Sequence, residues 1–138
     1  LQYRGRPPKR NTSMRRLPPE PNALPLTDCR NRPLKVAVSR SHSDGETARH
    51  LEELRKRHPD AEVLQQGSSY KLCLIAEGSV DYYPRTTETY EWDTAAGESI
   101  IALAGGSIYS LDDTAPLRYN KESLVNPRFA CRSKWFGD

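Results

Sequence analysis

Short apolar runs alternate with amphipathic segments from residue 34 onward. Four runs are rich in β-forming residues and predict strands at 34–38, 61–64, 80–83 and 108–110. Pro84 is expected to end the third strand, because proline lacks the N–H group that a central strand needs. Two further short strands could follow at 117–119 and 129–131. The alternation of strand and helix patterns predicts an α/β fold with helices packed on a sheet.

Two helices are predicted between the first three strands. Residues 44–58 repeat apolar side chains at helical spacing, and Ser43 with Glu46 forms a capping-box pattern at their start. Residues 70–77 are apolar nearly all round, which predicts a buried helix that ends at Gly78.

A third helix is predicted before the fourth strand. Asp93 or Thr94 would be its N-cap, and Gly105-Gly106 would end it. The small residues at 95–97 would let another segment or a metal ion approach closely. The face predicted to be buried consists of Ala96, Ile100, Leu103 and Ala104.

The composition fits a single domain. The chain has 138 residues, of which 36% are hydrophobic and 28% charged, and no apolar run is long enough for a transmembrane helix. The three cysteines are odd in number and form no CxxC pair, which argues against a disulfide scaffold and a zinc ribbon. This cysteine usage favours a reducing, cytoplasmic setting. Cys73 lies in an apolar run and is expected to be a small buried hydrophobe.

Positive charge and proline are concentrated in residues 1–33. This segment holds eight Lys/Arg against two acids, a net charge of +6, and seven of the eleven prolines, whereas residues 34–138 carry −3. The prolines exclude a continuous helix, so we expect a basic, extended segment followed by one α/β domain at 34–138. The segment could contact a nucleic acid or an acidic membrane. A solvated linker is the favoured interpretation, because only Tyr3 interleaves the arginines.

Three turns between strands and helices carry the polar groups that could bind a ligand. In the first turn, His42 could donate to a phosphate. In the second, Gly67 lets a ligand approach the backbone, Ser68 offers a hydroxyl, and Lys71 adds charge beside helix amides that favour anions. In the third, Asp93 could bind a metal ion together with other ligands. Each feature taken alone is better explained by local structure such as a helix cap.

Taken together and in this order, the turns resemble the C-terminal half of the 3′(2′),5′-bisphosphate nucleotidases of the CysQ type. These are lithium-sensitive, magnesium-dependent phosphatases related to inositol monophosphatase. The resemblance rests on Ser39-Arg40-Ser41-His42, the run 67–78, Tyr83-Pro84-Arg85 and Trp92-Asp93-Thr94-Ala95-Ala96-Gly97. It covers about residues 34–138, whereas residues 1–33 loosely resemble the stretch that joins the family's two domains.

This resemblance implies a fold and a reaction. The fold would be the C-terminal α/β layer domain of an αβαβα sandwich. The reaction would be hydrolysis of the 3′-phosphate of 3′-phosphoadenosine 5′-phosphate to AMP and phosphate, in sulfur assimilation and nucleotide recycling. Mg²⁺ would be the cofactor, with Asp93 contacting both metal and substrate and Thr94 capping the helix beside it. The residues whose counterparts hold the nucleotide and its 5′-phosphate are Ser41, His42, Gly67, Ser68 and Lys71.

The family's first two acidic motifs, a Glu-Glu pair and an Asp-Pro-x-Asp-Gly-Thr run, are not recognisable in this sequence. We therefore expect an inactive C-terminal fragment that could associate through the surface left by a missing N-terminal domain. An inositol monophosphatase is the alternative enzyme. A non-catalytic nucleotide- or RNA-binding module that uses the basic segment is the alternative from another class. We expect no specific nucleic-acid partner, a cytoplasmic location, and at most a peripheral contact at the inner membrane.

Overall fold

The computed structural model describes residues 23–26, 28, 30–40 and 45–137. Its elements are β1 Lys35–Ser39, α1 Gly45–Arg57, β2 Glu62–Gln66, α2 Tyr70–Glu77, β3 Tyr82–Arg85, α3 Glu91–Leu103, β4 Ser107–Ser110 and β5 Phe129–Arg132. The three predicted helices and the first four predicted strands are therefore present, with small differences at their ends. Ser43, the predicted cap of α1, lies outside the described residues. Within the described part of the chain, no helix is long and apolar enough to cross a membrane.

The five strands form one mixed sheet in the order β2-β1-β3-β5-β4. β1 runs parallel to β2 and β3, whereas β5 runs antiparallel to β3 and β4. The strand expected at 129–131 is thus present, and it lies inside the sheet. Residues 117–119 form no strand, although Tyr109 bridges to Pro116 just before them. Because parallel strands end at the same edge, the carboxyl ends of β1, β2 and β3 lie together.

Helices cover both faces of this sheet. Alternate residues of a strand face opposite sides, so Val36 and Tyr82 pack with Leu54 of α1 on one face. Ala37 and Tyr83 pack on the other face, in a larger cluster with side chains of α2 and α3. The protein is therefore a three-layer α/β/α arrangement, which confirms the predicted fold class.

α2 and α3 pack tightly against each other at Gly97. A Cβ atom at this position would lie 2.2 Å from Cδ1 of Leu72, so only glycine lets the two helices come this close. This confirms the prediction that small residues here admit another segment. The contact also fixes the rotation of α3, since Ile101, one turn further on, is fully buried.

The buried face of α3 differs from the predicted one. Ile101 is buried, whereas Ile100 is 40% exposed, Leu103 is 86% exposed, and Ala96 is exposed as well. Two adjacent stripes of this helix are apolar, and periodicity alone could not choose between them. The contact at Gly97 turns the stripe of Ile101 inward and leaves Ala96, Ile100 and Leu103 at the surface. Of the predicted face, only Ala104, the C-cap of the helix, is buried.

Two other local predictions are wrong. Cys73 is exposed, because α2 packs on the sheet and on α3 with its other sides. Pro84 does not end β3 but lies inside it, opposite Ala130 of β5. The parallel ladder to β1 pairs Val36 with Tyr82, two residues before the proline. The N–H that proline lacks is therefore not needed for pairing on that side.

Asp81, just before β3, joins the sheet to the segments on either side of it. Its carboxylate is 5% exposed and accepts hydrogen bonds from Nη1 of Arg32 at 2.8 Å and from the backbone N–H of Lys35 at 2.7 Å. Its own backbone N–H donates to the Lys35 carbonyl at 2.8 Å, and its carbonyl accepts from the Ser133 N–H at 2.8 Å. One residue therefore ties the start of β1 and the segment after β5 to β3.

We expect Asp81→Asn to lower the free energy of unfolding by about 3 kcal/mol, because a mostly buried guanidinium would lose its carboxylate partner. Urea unfolding followed by circular dichroism measures this change. Asp28→Asn is the matched control, since Asp28 also pairs with an arginine, Arg30, but both side chains are about half exposed. Asp28→Asn should change the free energy of unfolding little. Equal effects of the two substitutions would contradict the role assigned to Asp81.

Candidate functional site

A cleft of about 450 Å³ opens at the edge of the sheet where β1, β2 and β3 end. The turns after these strands and the first turns of α2 and α3 line it. Two of the predicted site residues, Ser41 and His42, lie outside the described residues. The predicted site residues that the fold brings together in the cleft are Gly67, Ser68, Lys71 and Asp93.

The loop between β2 and α2 is shaped by two special positions. A Cβ atom at Gly67 would lie 2.9 Å from Nη2 of Arg40, so glycine makes room for that guanidinium. Ser68 has φ 62°, in the left-handed region that non-glycine residues seldom adopt. Ser69 is the N-cap of α2, but its hydroxyl makes no capping hydrogen bond. The first amides of α2 are therefore left without a side-chain acceptor from the cap, which suits an anion in the cleft.

Lys71 lines the cleft although it is only 2% exposed. Its Nζ donates to the carbonyl oxygens of Ser68 at 2.8 Å and Gln66 at 3.0 Å. Burial, followed by the positive charge of Arg85, lowers its pKa to about 8, and Arg40 acts in the same direction. Lys71 is therefore a buried cation that holds the loop in place, whereas the sequence suggested a charge free to reach a ligand.

Arg85 is the cationic cleft residue that the site prediction omitted. Its Nε is buried and has no hydrogen-bond partner among the described residues, and its Nη2 reaches the Glu88 carbonyl only at 3.4 Å. Burial raises the pKa of the neighbouring Tyr83 hydroxyl to about 12, so that hydroxyl stays neutral. A part-buried guanidinium with an unsatisfied N–H suits an oxyanion. The motif Tyr83-Pro84-Arg85 was the available signal, but the sequence did not show which way the side chain points.

Asp93 lies in the first turn of α3 with an exposed carboxylate at the cleft. The N-cap of α3 is Tyr90, so the prediction of Asp93 or Thr94 as the cap is wrong. Oδ2 of Asp93 instead accepts a hydrogen bond from the Tyr90 backbone N–H at 2.9 Å, as in a capping box. This bond orients the carboxylate, and Oδ1 has no hydrogen-bond partner within the described residues. Oδ1 could therefore bind a cation.

Thr94 is buried beside Asp93 and holds a loop in place. Its hydroxyl donates to the Glu91 carbonyl at 3.3 Å and accepts from the Tyr119 hydroxyl at 3.2 Å and Nδ2 of Asn126 at 3.1 Å. The Glu91 carboxylate accepts a hydrogen bond from the Lys121 ammonium, which lowers the pKa of that carboxyl. The loop between β4 and β5 is thus tied to the start of α3.

A complete metal site is not formed by the described part of the chain. There, no group of three or more His, Cys, Asp or Glu side chains is close enough together to hold an ion. The sequence does contain an adjacent pair of glutamates, Glu52 and Glu53. Both lie exposed on α1, where Glu53 pairs with Lys56, and they form no metal-binding group with other described residues. Asp93 would therefore need ligands from outside the described residues to bind a metal ion tightly.

Comparison with known proteins relates this geometry to a family. The model of the inositol monophosphatase family matches residues 10–135. The chain belongs to this family. Its relatives include the 3′(2′),5′-bisphosphate nucleotidase CysQ of Escherichia coli K12, 42% identical over 99 residues, which are 71% of this chain and 38% of the relative. The CysQ of Haemophilus influenzae is 41% identical over 100 residues, which are 72% of this chain and 36% of that relative.

Solved structures of family members share the fold. CysQ from Bacteroides thetaiotaomicron matches with a TM-score of 0.75 and 46% identity, over 80% of this chain and 40% of that one. Inositol monophosphatase II from Staphylococcus aureus matches with a TM-score of 0.61 and 16% identity, over 83% of this chain and 41% of that one. The resemblance found in the sequence is confirmed, and the chain spans about two fifths of the length of these family members.

The lowered pKa of Lys71 predicts a pH dependence of stability. Between pH 8 and 10.5 the folded protein has released the Lys71 proton while the unfolded chain still holds it, so stability rises with pH in this window. We expect the free energy of unfolding of the wild type to rise relative to that of Lys71→Met across this range. Urea unfolding at several pH values measures the difference, in which all other titrating groups cancel.

Lys56→Met is the control for this experiment. Lys56 is exposed, and its hydrogen bond to Glu53 raises its pKa, so any contribution it makes to stability is lost as the pH rises. The free energy of unfolding of the wild type should therefore not rise relative to that of Lys56→Met between pH 8 and 10.5. If the difference in stability between the wild type and Lys71→Met does not change with pH, the desolvated position of Lys71 is contradicted.

Proposed function

We propose that the chain forms the nucleotide-binding part of a phosphatase that removes the 3′-phosphate of 3′-phosphoadenosine 5′-phosphate, giving AMP and inorganic phosphate. One observation carries the proposal. Two cations, Lys71 and Arg85, and the carboxylate of Asp93 share one cleft in a chain 42% identical to a CysQ nucleotidase over 99 residues. Both an anionic phosphate and a cation can find partners there.

The cationic side of the cleft would bind and orient the nucleotide phosphate. Arg85 offers an unsatisfied N–H, Ser68 a hydroxyl, and the start of α2 its amides. Lys71 is positively charged below its pKa of about 8, and an anion bound beside it would favour that charged form. The phosphate would thus occupy the place where the folded chain leaves positive charge without an acidic partner.

We propose Mg²⁺ as the metal, because the family's phosphatases are metal-dependent. When bound, magnesium neutralises phosphoryl oxygens and lowers the pKa of a bound water. Oδ1 of Asp93 fits the role of one ligand, since Tyr90 holds only the other oxygen. One carboxylate does not hold Mg²⁺ tightly, so the other ligands would come from outside the described residues. We therefore propose that the chain alone binds the nucleotide without hydrolysing it.

The outer face of α3 supports a partner for this chain. Trp92, at the rim of the cleft, is 65% exposed, and Ile100 and Leu103 further along the helix are 40% and 86% exposed. Large apolar side chains grouped on one surface mark a contact area. We propose that a domain carrying the acidic motifs packs on this face, next to Asp93, and that copies of the chain associate through it when that domain is absent.

An inositol monophosphatase is the second enzyme candidate, because a protein of that name shares the fold. That protein is only 16% identical to this chain, whereas a CysQ nucleotidase is 42% identical over 99 residues. The similarity to CysQ therefore favours a nucleotidase. The RNA-binding alternative depends on the basic segment, which lies largely outside the described residues. Within it, Arg32 is already engaged by Asp81. We retain as proposals the cytoplasmic location and at most a peripheral membrane contact.

The role of Asp93 is tested in a chimaera in which this chain replaces the matching region of Escherichia coli CysQ. We expect magnesium-dependent phosphate release from 3′-phosphoadenosine 5′-phosphate, and a loss of roughly 100-fold or more in kcat for Asp93→Asn. Asparagine can still accept the Tyr90 hydrogen bond, so the fold should be kept. Asp60→Asn, at an exposed turn, is the matched control and should be fully active.

The chain alone gives a second measurement that needs no turnover. Calorimetric titration with AMP should show binding that Asp93→Asn preserves and Arg85→Gln weakens about tenfold. Near-normal turnover of the Asp93→Asn chimaera would contradict the metal-ligand role. A chimaera that prefers inositol phosphate would favour the inositol monophosphatase alternative.

The apolar face of α3 predicts self-association of the chain. We expect the wild type to sediment as a concentration-dependent mixture of monomer and dimer, and Leu103→Lys to shift it to monomer, because a charge there opposes burial. Leu64→Lys is the matched control, on an exposed leucine of the edge strand β2. If Leu64→Lys and not Leu103→Lys removes the dimer, the edge strand is the association surface and the proposal is wrong.

A further inference from the structure

A second pocket, of about 420 Å³, lies at the opposite edge of the sheet from the cleft. β5 connects the two, since Phe129 at its start lines the cleft and Arg132 at its end lines this pocket. These two residues are three steps apart along the strand, a distance of about 10 Å. We call it the basal pocket and define it by residues 105–107, which lead into β4, and by residues 132–134, 136 and 137, which begin at the last residue of β5.

The basal pocket is positively charged. Arg132 and Lys134 line it, and none of its described lining residues carries a carboxylate. Neither cation forms an ion pair within the described part of the chain, unlike Arg32, Lys121 and Arg128. Two neighbouring cations without a counter-charge among the described residues attract an anion.

Local packing holds these cations in position. Nε of Arg132 donates to the Ser107 hydroxyl at 2.7 Å, and its guanidinium lies 5.6 Å from the centroid of the Tyr109 ring. The stem of Lys134 packs on Gly105, where a Cβ atom would lie 3.2 Å from its Cδ. A Cβ at Gly106 would lie 2.5 Å from the Arg132 carbonyl oxygen, so glycine lets the two walls approach. With Nε of Arg132 used, its terminal nitrogens are left for a ligand.

A hydroxyl group in the wall also lacks a partner. Ser133 is 3% exposed, and its Oγ makes no hydrogen bond to any described residue. Buried hydroxyls in folded proteins nearly always have a partner, which can be a bound ion or water. This orphaned group, on the residue between Arg132 and Lys134 in the sequence, is a second observation, independent of charge, that points to a ligand.

We propose that the basal pocket binds a tetrahedral oxyanion, inorganic phosphate or sulfate, through Arg132, Lys134 and the Ser133 hydroxyl. The four oxygens of such an anion accept hydrogen bonds in several directions, which matches a guanidinium, an ammonium and a hydroxyl donor on three consecutive residues. Chloride offers charge without this directed bonding. The site is separate from the cleft and does not depend on the proposed reaction.

The test is a titration of the 15N-labelled chain with sodium phosphate, followed by NMR, with sodium sulfate and sodium chloride of equal ionic strength as parallel arms. We expect the amide signals of Gly105, Gly106 and residues 133–137 to shift and saturate with phosphate or sulfate but not with chloride. Arg132→Gln/Lys134→Gln should weaken the affinity at least about tenfold. Arg55→Gln/Lys56→Gln, which removes the same two charges from the exposed side of α1, should not.

Arg85→Gln separates the two anion sites, because it should weaken shifts at 68–71 in the cleft and leave those of the basal pocket unchanged. Equal shifts with chloride, shifts confined to the cleft, or equal losses in the two double variants would overturn the proposal. If Arg132→Gln/Lys134→Gln does not fold, Lys134→Gln alone, on an exposed side chain, gives the same test.

Discussion

Gly97 and Leu72 lie so close that a side chain on residue 97 would force α2 and α3 apart. Both helices begin at the cleft, α2 with Lys71 in its first turn and α3 with Asp93. The spacing between the two helices therefore sets the spacing between the cationic and the acidic side of the cleft. The same contact fixes the rotation of α3 and decides which of its apolar stripes joins the core. A larger distance between α2 and α3 would therefore change both the geometry of the cleft and the side chains that α3 exposes.

The cleft holds positive charge under conditions that favour an anion. Lys71 is buried and near two arginines, Arg40 and Arg85, and its lowered pKa reflects both burial and repulsion. Backbone carbonyl oxygens of its own loop partly compensate, but no acidic side chain in the described part of the chain pairs with it. An oxyanion in the cleft would relieve the cost of this arrangement. The folded chain holds the charge in place without a ligand, which is typical of sites that bind phosphates.

α3 serves three parts of the protein at once. Its inner face packs on α2 and the sheet, its first turn presents Asp93 to the cleft, and its outer face exposes Ile100 and Leu103. Under the proposed function, the carboxylate of Asp93 and the apolar side chains exposed beside it would form a half-site that another domain completes.

The sequence by itself determined the order of the elements, the α/β class, the cap at Gly78 and four residues of the cleft. These follow from short-range patterns: β-rich runs, helical spacing, and the Gly and Ser of turns. The tertiary structure decided what depends on contacts between distant segments. These are the inward stripe of α3, which Leu72 selects, the exposure of Cys73, and the orientation of Arg85. Lys71 shows the limit most clearly, since the sequence predicts only that its charge lies beside the amides at the start of α2. Only the packing of α2 on the sheet buries that charge, and only burial beside other cations lowers its pKa.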